Sequence, residues 1–156
     1  MPFELEPALR GHGFFAGLEP EFVALIAGCA KNVVYPAGQF LFREGEPAER
    51  FYLIRTGQLM LEIAAPGRKP VVVQAVGPGE VAGFSWLIEA RVWHFDGRAV
   101  ERVHAVEVDG ACLQGKCDDD PRLGYKLMSR FAALASRRLQ ATELRLLDVY
   151  GHVGAS

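Results

Sequence analysis

This sequence of 156 residues lacks several features, and each absence excludes a class of protein. It contains no apolar run near the roughly 18 residues that a membrane-spanning helix needs, so we expect no membrane span. Its net charge of −2 provides no general basic field for nucleic acid or an anionic membrane. The acidic N-terminus, Met1–Glu6, lacks the basic and apolar regions of a signal peptide, so we expect a cytoplasmic protein.

Cysteine is scarce: the chain has three, at Cys29, Cys112 and Cys117. All three cannot pair with one another, and a reducing cytoplasm is the simplest setting for such a set. The spacing of Cys112 and Cys117 is not the CxxC of common metal sites, so we expect neither a zinc ion nor an iron–sulfur cluster. The sequence therefore predicts one core cysteine and two incidental ones.

Signatures of catalysis are also missing. His94 beside Asp96 suggests acid–base chemistry, but no nucleophile motif accompanies it, because Ser85 stands in Gly-Phe-Ser-Trp-Leu rather than in G-x-S-x-G. The basic run 136–140 is followed by acids on the same predicted helix, which indicates a solvated face rather than a nucleic-acid patch. We therefore expect a protein that is not an enzyme.

The composition, 50% hydrophobic and 23% charged, is that of a globular protein, and the length suits a single domain over 1–156. Residues 1–18 are predicted to be a lead-in interrupted by proline and glycine, and 19–29 an amphipathic helix. Short segments of alternating polarity then follow one another between glycine and proline turns, which predicts a small antiparallel barrel or sandwich. The predicted strands are 32–35, 39–42, 51–54, 59–63, 71–76, 98–101 and 104–108.

A long C-terminal helix is predicted over 121–149, with aspartates before Pro121 as its N-cap and Gly151 as its stop. One of its apolar stripes has the spacing of a coiled-coil seam: Tyr125, Met128, Ala132, Ala135, Leu139, Thr142, Leu146 and Val149. A second stripe would dock the helix on the barrel: Leu123, Leu127, Phe131 and Leu134. Either both stripes pack within one monomer, or the seam makes a homodimer. We favour the homodimer, because too little chain remains for a second long helix.

The segment Gly77–Leu87 has the character of a binding site. Two glycines around a proline predict a tight turn, and Glu80 follows before the small residues of 81–83. The string then predicts a short helix over 81–87, whose backbone N–H groups would bind an anion while Glu80 holds a sugar hydroxyl. The alternative is a plain hairpin turn followed by a core helix.

Three glycine motifs together carry a resemblance to a known family. The string GQFLFREG over 38–45 resembles the G-x-x-hydrophobic-F-x-E-G motif of cyclic nucleotide-binding domains, and FYLIRTGQL over 51–59 resembles their Y-x-I-x-x-G-x-hydrophobic motif. The turn 77–80 resembles the start of their phosphate-binding cassette. The resemblance covers residues 19 to about 150 and is to the sensor half of CRP/FNR-type bacterial regulators. It implies a mainly β fold with flanking helices, a double-stranded β-helix (a jelly-roll-like β-roll) over about 31–109, followed by a dimerisation helix.

The resemblance also implies a ligand, a cyclic nucleotide or related small anion, for which Glu80 matches the ribose-binding glutamate. The cassette's Pro-Arg-Ser/Thr-Ala, whose arginine pairs with the cyclic phosphate, has no counterpart: its slot falls near 89–91 by one count and near 93–95 by another. In the empty protein we expect Glu80 to pair with Arg91 or Arg98. The candidate binding residues are Gly79, Glu80, Val81, Ala82, Gly83, Arg91, His94 and Arg98.

Two hypotheses about function follow. The first is a regulatory sensor with a degenerate phosphate-binding cassette, acting as a dimer on a partner protein. The alternative is a ligand-independent interaction module of the same fold, whose pocket is filled by Trp93 and Phe95. Regulators of this family continue into a helix-turn-helix, which this sequence does not contain, so we expect no direct DNA binding.

Overall fold

The computed structural model describes residues 2–83 and 91–154. Its helices are α1 (Pro2–Gly11), α2 (Pro20–Ala27), α3 (Gly110–Asp119) and α4 (Pro121–Gly154), and a 3-10 turn covers Gly13–Phe15. Its strands are β1 (Ala30–Tyr35), β2 (Phe40–Phe42), β3 (Arg50–Thr56), β4 (Leu59–Ile63), β5 (Val71–Val76), β6 (Val81–Ala82), β7 (Asp96–Ala99) and β8 (Val103–Asp109).

The strands form two four-stranded sheets with the orders β1-β8-β3-β6 and β2-β7-β4-β5. The ladders within both sheets are antiparallel, and most neighbours in a sheet are distant in sequence. Such an order requires the chain to cross from one sheet to the other, which is the topology of a jelly-roll-like β-roll. The predicted fold class is therefore confirmed.

Strand β3 separates two apolar cores. Its alternate residues Phe51 and Leu53 pack with the helices, in a core that includes α1, α2 and the first half of α4. The residues between them, Tyr52 and Ile54, point into the roll. Because successive side chains of a strand point to opposite faces, one strand buried on both sides supplies both cores.

Helix α4 begins as predicted. The Asp120 carboxylate accepts a hydrogen bond of 3.1 Å from the backbone N–H of Arg122, and Pro121 takes the first helical position. The predicted docking stripe is buried: Leu123, Leu127, Phe131 and Leu134. Phe131 meets Phe51 edge-on, with ring centroids 5.1 Å apart, which fixes α4 against the first sheet.

The predicted seam of α4 stays outside both cores. Tyr125 is 75% exposed, Leu139 60% and Leu146 53%. The two apolar stripes of α4 therefore differ in burial within the single chain: the docking stripe is buried and the seam lies on the surface.

Three element predictions are wrong. Residues 2–11 form a helix, because burial of Leu5 and Leu9 outweighs the hydrogen bond that Pro7 removes. Residues 81–82 pair with β3 as a strand instead of starting a helix, and the rest of the predicted 81–87 helix lies largely outside the described residues. Helix α4 also continues past Gly151, since a single glycine weakens a helix without ending it.

Two of the cysteines are paired. Cys29 and Cys112 form a disulfide with a Cα–Cα distance of 5.6 Å, while Cys117 is a free thiol. The prediction of two incidental cysteines is therefore wrong. The partners are 83 residues apart in sequence, and the pairing of β1 with β8 brings them together: Ala30 lies opposite Val108, and the Asp109 N–H donates to the Cys29 carbonyl oxygen just before α3 begins. In the part of the chain that the structure describes, no helix has both the length and the apolar composition to cross a bilayer.

Candidate ligand-binding site

The turn 77–80 stands at the end of β5, where Gly79 has a φ of +83° that favours glycine. The Glu80 carboxylate is exposed and folds back on its own turn, where Oε1 accepts a hydrogen bond of 2.8 Å from the N–H of Gly77. The backbone of the turn is tied to β3: Gly79 N–H donates to the Ile54 carbonyl and Ile54 N–H to the Glu80 carbonyl, each over 3.0 Å. The turn is thus tied to β3 on both sides of Gly79, and Glu80 is exposed.

His12 supports this turn from the helical side. Its Nδ1 accepts a hydrogen bond of 3.2 Å from the N–H of Phe14, and its Nε2 lies 3.0 Å from the Ile54 carbonyl oxygen. Since Nδ1 accepts, the ring is neutral and Nε2 donates. Burial lowers the pKa of His12 below its usual value, which keeps this neutral form.

Neither predicted arginine reaches Glu80. Arg98 on β7 binds Glu62 on β4 with two hydrogen bonds, of 2.7 and 3.2 Å, and the Glu62 carboxylate is buried. Arg91 is exposed and donates to the Gln114 side chain over 3.3 Å. The expectation that either one pairs with Glu80 is therefore wrong. The cause is strand register: Arg98 lies opposite Met60, which brings it to the same strand face as Glu62.

Trp93 occupies one predicted arginine slot, and it is buried. Its ring stacks on Phe42 with centroids 3.8 Å apart and planes 10° apart. It also covers Gly83, where an added Cβ would lie 2.6 Å from the indole ring. Gly83 has a φ of +101°, so both backbone and space require glycine there. An aromatic pair thus fills the space beside the end of the described cassette.

A cavity of about 250 Å³ remains between the β-roll and α4. Aromatic side chains of the roll form one wall, and α4 forms the facing wall through Ala135, Arg138, Leu139 and Thr142. Of the predicted binding residues, Gly83 and His94 line this cavity, whereas Arg98 is held by Glu62. The cavity is therefore assembled from both halves of the fold.

Arg138 is the charged residue among the described lining residues that the sequence prediction missed. The run 136–140 was predicted to be a solvated face, but Arg138 is half-buried and its Nη2 donates to the carbonyl oxygen of Val81. Burial lowers the pKa of its guanidinium, while the nearby Glu80 carboxylate favours the charged form. The signal was present in the spacing, because Arg138 follows Phe131 by one heptad and so continues the buried stripe.

A second arginine on α4 makes a similar contact. Arg145, one heptad after Arg138, donates through Nη1 to the carbonyl oxygen of Val73 on β5. The second half of α4 is thus held to the roll by polar contacts on either side of the cavity. Among residues 2–83 and 91–154, no three His, Cys, Asp or Glu side chains come together as candidate metal ligands.

Comparison with known proteins places this fold in a family. The family model of the cyclic nucleotide-binding domain matches residues 32–120. A CRP-like cAMP-activated global transcriptional regulator of Mycobacterium tuberculosis is 27% identical over 145 residues, which cover 93% of this chain and 63% of that protein. The cyclic AMP receptor protein of Thermus thermophilus is 27% identical over 138 residues, which cover 88% of this chain and 62% of that protein.

A similar solved structure is that of a putative cyclic nucleotide-binding protein from Geobacter metallireducens. It has a TM-score of 0.77 and 30% identity, and the match covers 86% of this chain and 97% of that one. The chain spans less than two thirds of the length of the two curated relatives. Because the family model matches more than half of the chain and the matched relatives include CRP-like regulators, the chain belongs to the cyclic nucleotide-binding domain family and is of the CRP/FNR type.

Proposed function

We propose that this chain is a regulatory sensor domain that acts as a dimer on a partner protein, and that occupancy of the cavity changes the α4 seam. The observation that carries the proposal is a shared set of residues. Ala135, Leu139 and Thr142 belong to the predicted seam and also line the cavity. A molecule that enters the cavity therefore contacts the same helix positions that would contact a second copy.

Exposure of the seam supports the dimer. Leu139, Leu146 and Val149 are each more than half exposed, on a helix whose opposite stripe is buried. Exposed leucines at a/d spacing lose contact with water when a second identical helix packs against them, which is the driving force of a coiled coil. Leu144 and Leu147 are also exposed but lie off the seam, so they serve as comparison positions.

The proposal also concerns the class of ligand that the cavity binds. The two named relatives are a cAMP-activated regulator and a cyclic AMP receptor, which supports a nucleotide-like ligand. The predicted arginine positions argue against binding of a cyclic phosphate, because Trp93 is stacked on Phe42 and Arg98 is held by Glu62. The ligand-independent module is the second candidate, and the Trp93–Phe42 stack favours it. The remaining 250 Å³ of space favours the sensor.

The dimer is tested by light scattering on three proteins. The wild type should be a dimer, and Leu146→Lys should be a monomer because a lysine in the seam loses apolar burial and adds a desolvation penalty. Leu144→Lys is the matched control, because Leu144 is also more than half exposed but lies off the seam, and this variant should remain a dimer. A monomeric wild type would remove the dimer from the proposal.

The nucleotide question is tested by calorimetry with cAMP, cGMP and AMP on the wild type and on Glu80→Gln. If a ribose-bearing ligand binds through Glu80, the variant should bind it weaker by roughly 1.5–3 kcal/mol, the range for hydrogen bonds to charged groups. No heat with any of the three nucleotides would exclude them as ligands and leave the cavity to another class of molecule or to none.

A further inference from the structure

The chemistry of the cavity wall differs from what a nucleotide requires. Leucine, valine, phenylalanine and tryptophan make up half of the described lining residues, and none of the described lining residues carries a carboxylate. Arg138 is the one permanently charged residue among them. A wall of this kind suits a ligand that is mostly apolar and carries one negative group.

Arg138 is placed to bind that negative group. It comes from α4 and lines the cavity, and its Nη2 donates to the carbonyl oxygen of Val81, the residue that follows the cassette turn. A guanidinium presents its N–H groups as a planar fork that matches the two oxygens of a carboxylate. Glu80 is near enough to favour the charged form of this arginine, although its own carboxylate is bound to the turn through Gly77.

Aromatic side chains line the cavity on the side of the roll. Trp93 and Phe42 lie parallel, and Phe95 is a further ring in the lining. Aromatic walls favour a planar ring, which they contact by stacking or edge-on. The space of about 250 Å³ is just below the roughly 300–1,000 Å³ of sites for drug-sized ligands. A molecule with a single ring or with two fused rings matches this space.

We propose that the cavity binds a small aromatic carboxylate, with its ring among Trp93 and Phe95 and its carboxylate on Arg138. This inference rests on the proposed sensor function, because it names the ligand class of the same cavity. It makes Arg138 the specificity-determining residue and moves the anion partner from the cassette loop to α4. The ligand thereby connects the roll directly to the helix that carries the seam.

The test uses pairs of probes that differ in charge and little in shape. Calorimetry compares benzoate with benzamide and 1-naphthoate with 1-naphthamide on the full chain. We expect at least one carboxylate to bind, and its amide to bind about ten- to a hundred-fold weaker, the ratio that loss of a charge-assisted hydrogen bond gives. This comparison needs no substitution, so it stands even if a cavity variant fails to fold.

Variants then test whether Arg138 is the residue that binds the carboxylate of the probe. Arg138→Gln should remove the preference for the carboxylate over its amide, whereas Arg137→Gln, an exposed neighbour on the same helix, should leave that preference intact. Circular dichroism and thermal unfolding of both variants establish that they are folded. Fluorescence of Trp93, followed in a Trp86→Phe background, should change with 1-naphthoate but not with 1-naphthamide.

Three results with the aromatic probes would each overturn the inference: no heat with either carboxylate, equal affinity for acid and amide, or a preference that Arg138→Gln retains. Binding of cAMP that depends on Glu80 and is unaffected by Arg138→Gln would likewise overturn it, while leaving the sensor function in place. The sensor function fails separately, if the wild type is a monomer or if cavity occupancy leaves the dimer unchanged.

Discussion

Trp93 lies parallel to Phe42, with ring centroids 3.8 Å apart, at a position where the family resemblance places the arginine of the phosphate-binding cassette. The replacement exchanges a cation for an apolar surface, and the glycines around it provide the room. At Gly97 an added Cβ would lie 2.5 Å from the Phe42 ring, and at Gly83 it would lie 2.6 Å from Trp93. The aromatic pair and the two glycines therefore form one packing unit.

This unit predicts a non-additive effect on stability. Gly83→Ala should lower the free energy of unfolding by about 1–3 kcal/mol, the range for overpacking, because its methyl group meets the indole ring. Gly67→Ala is the control: Gly67 also has a positive φ, but an added Cβ meets nothing there. In a Trp93→Phe background the smaller ring should reduce the cost of Gly83→Ala. Strictly additive costs in urea unfolding would contradict the contact.

The buried ion pair predicts a rescue. Arg98→Met should destabilise the fold by about 1–2 kcal/mol, because it leaves the Glu62 carboxylate buried without its partner while Arg98 itself is partly exposed. Adding Glu62→Met should recover much of the loss, since both charges are then gone. Arg91→Met, at an exposed position, is the control and should be nearly neutral. Failure of the second substitution to recover stability in thermal unfolding would show that Arg98 acts through something other than Glu62.

His12 predicts a dependence of stability on pH. Its pKa is lowered in the folded protein, so below the usual value of about 6.5 the unfolded chain binds more protons than the native one. This contribution to stability is fully present above pH of about 6.5 and is lost as the pH falls toward the folded pKa. His12→Asn should flatten the slope of stability against pH, and His104→Asn, at an exposed position, should not. Equal slopes for wild type and His12→Asn in urea unfolding at pH 5–7 would exclude this role.

The disulfide predicts a loss of stability on reduction. Cys29 and Cys112 close a loop with a sequence separation of 83. Chain-entropy arguments assign such a cross-link up to about 4–5 kcal/mol through the unfolded state. The melting temperature should fall with dithiothreitol and in Cys29→Ser, but not in Cys117→Ser. Peptide mapping under non-reducing conditions checks the bond itself, and three free thiols there would contradict it.

Much of the fold could be predicted from local pattern. The strand segments were found because alternating polarity between glycine turns is a local property, and the docking stripe of α4 was found because a helix repeats every 3.6 residues. Helix α1 was missed because its stability comes from burying Leu5 and Leu9 on other elements, which no local signal reports. The Cys29–Cys112 pair was missed for the same reason.

The site could be predicted only in part. The glycines of 77–80 predict the turn. One of the two ways of counting along the family motif places the cassette arginine near 93–95, where Trp93 stands. The partners of Arg91 and Arg98 depend on strand register and on a loop's approach to α3, so residue type alone led to the wrong pairing with Glu80. The basic run 136–140 predicts a solvent-facing Arg138, because such runs usually face solvent, whereas the heptad position of Arg138 places it on the roll.

The central claim is that the cavity and the dimer seam are coupled through α4, and it can be tested without a ligand. Val73 on β5 lines the cavity from the roll side, so Val73→Trp fills the space without substituting any residue of the seam. Val71 on the same strand is 57% exposed and lies outside the cavity lining, which makes Val71→Trp the matched control.

The measurement is the dimer dissociation constant of the wild type, Val73→Trp and Val71→Trp by sedimentation equilibrium. We expect a dimeric wild type and an unchanged dissociation constant for Val71→Trp. For Val73→Trp we expect a dissociation constant that is larger by about fivefold or more, the lower end of typical coupling between sites. The reason is that a ring in the cavity displaces Leu139 and Thr142 from the seam. A Val73→Trp protein that is folded and dimerises as tightly as the wild type would contradict the account.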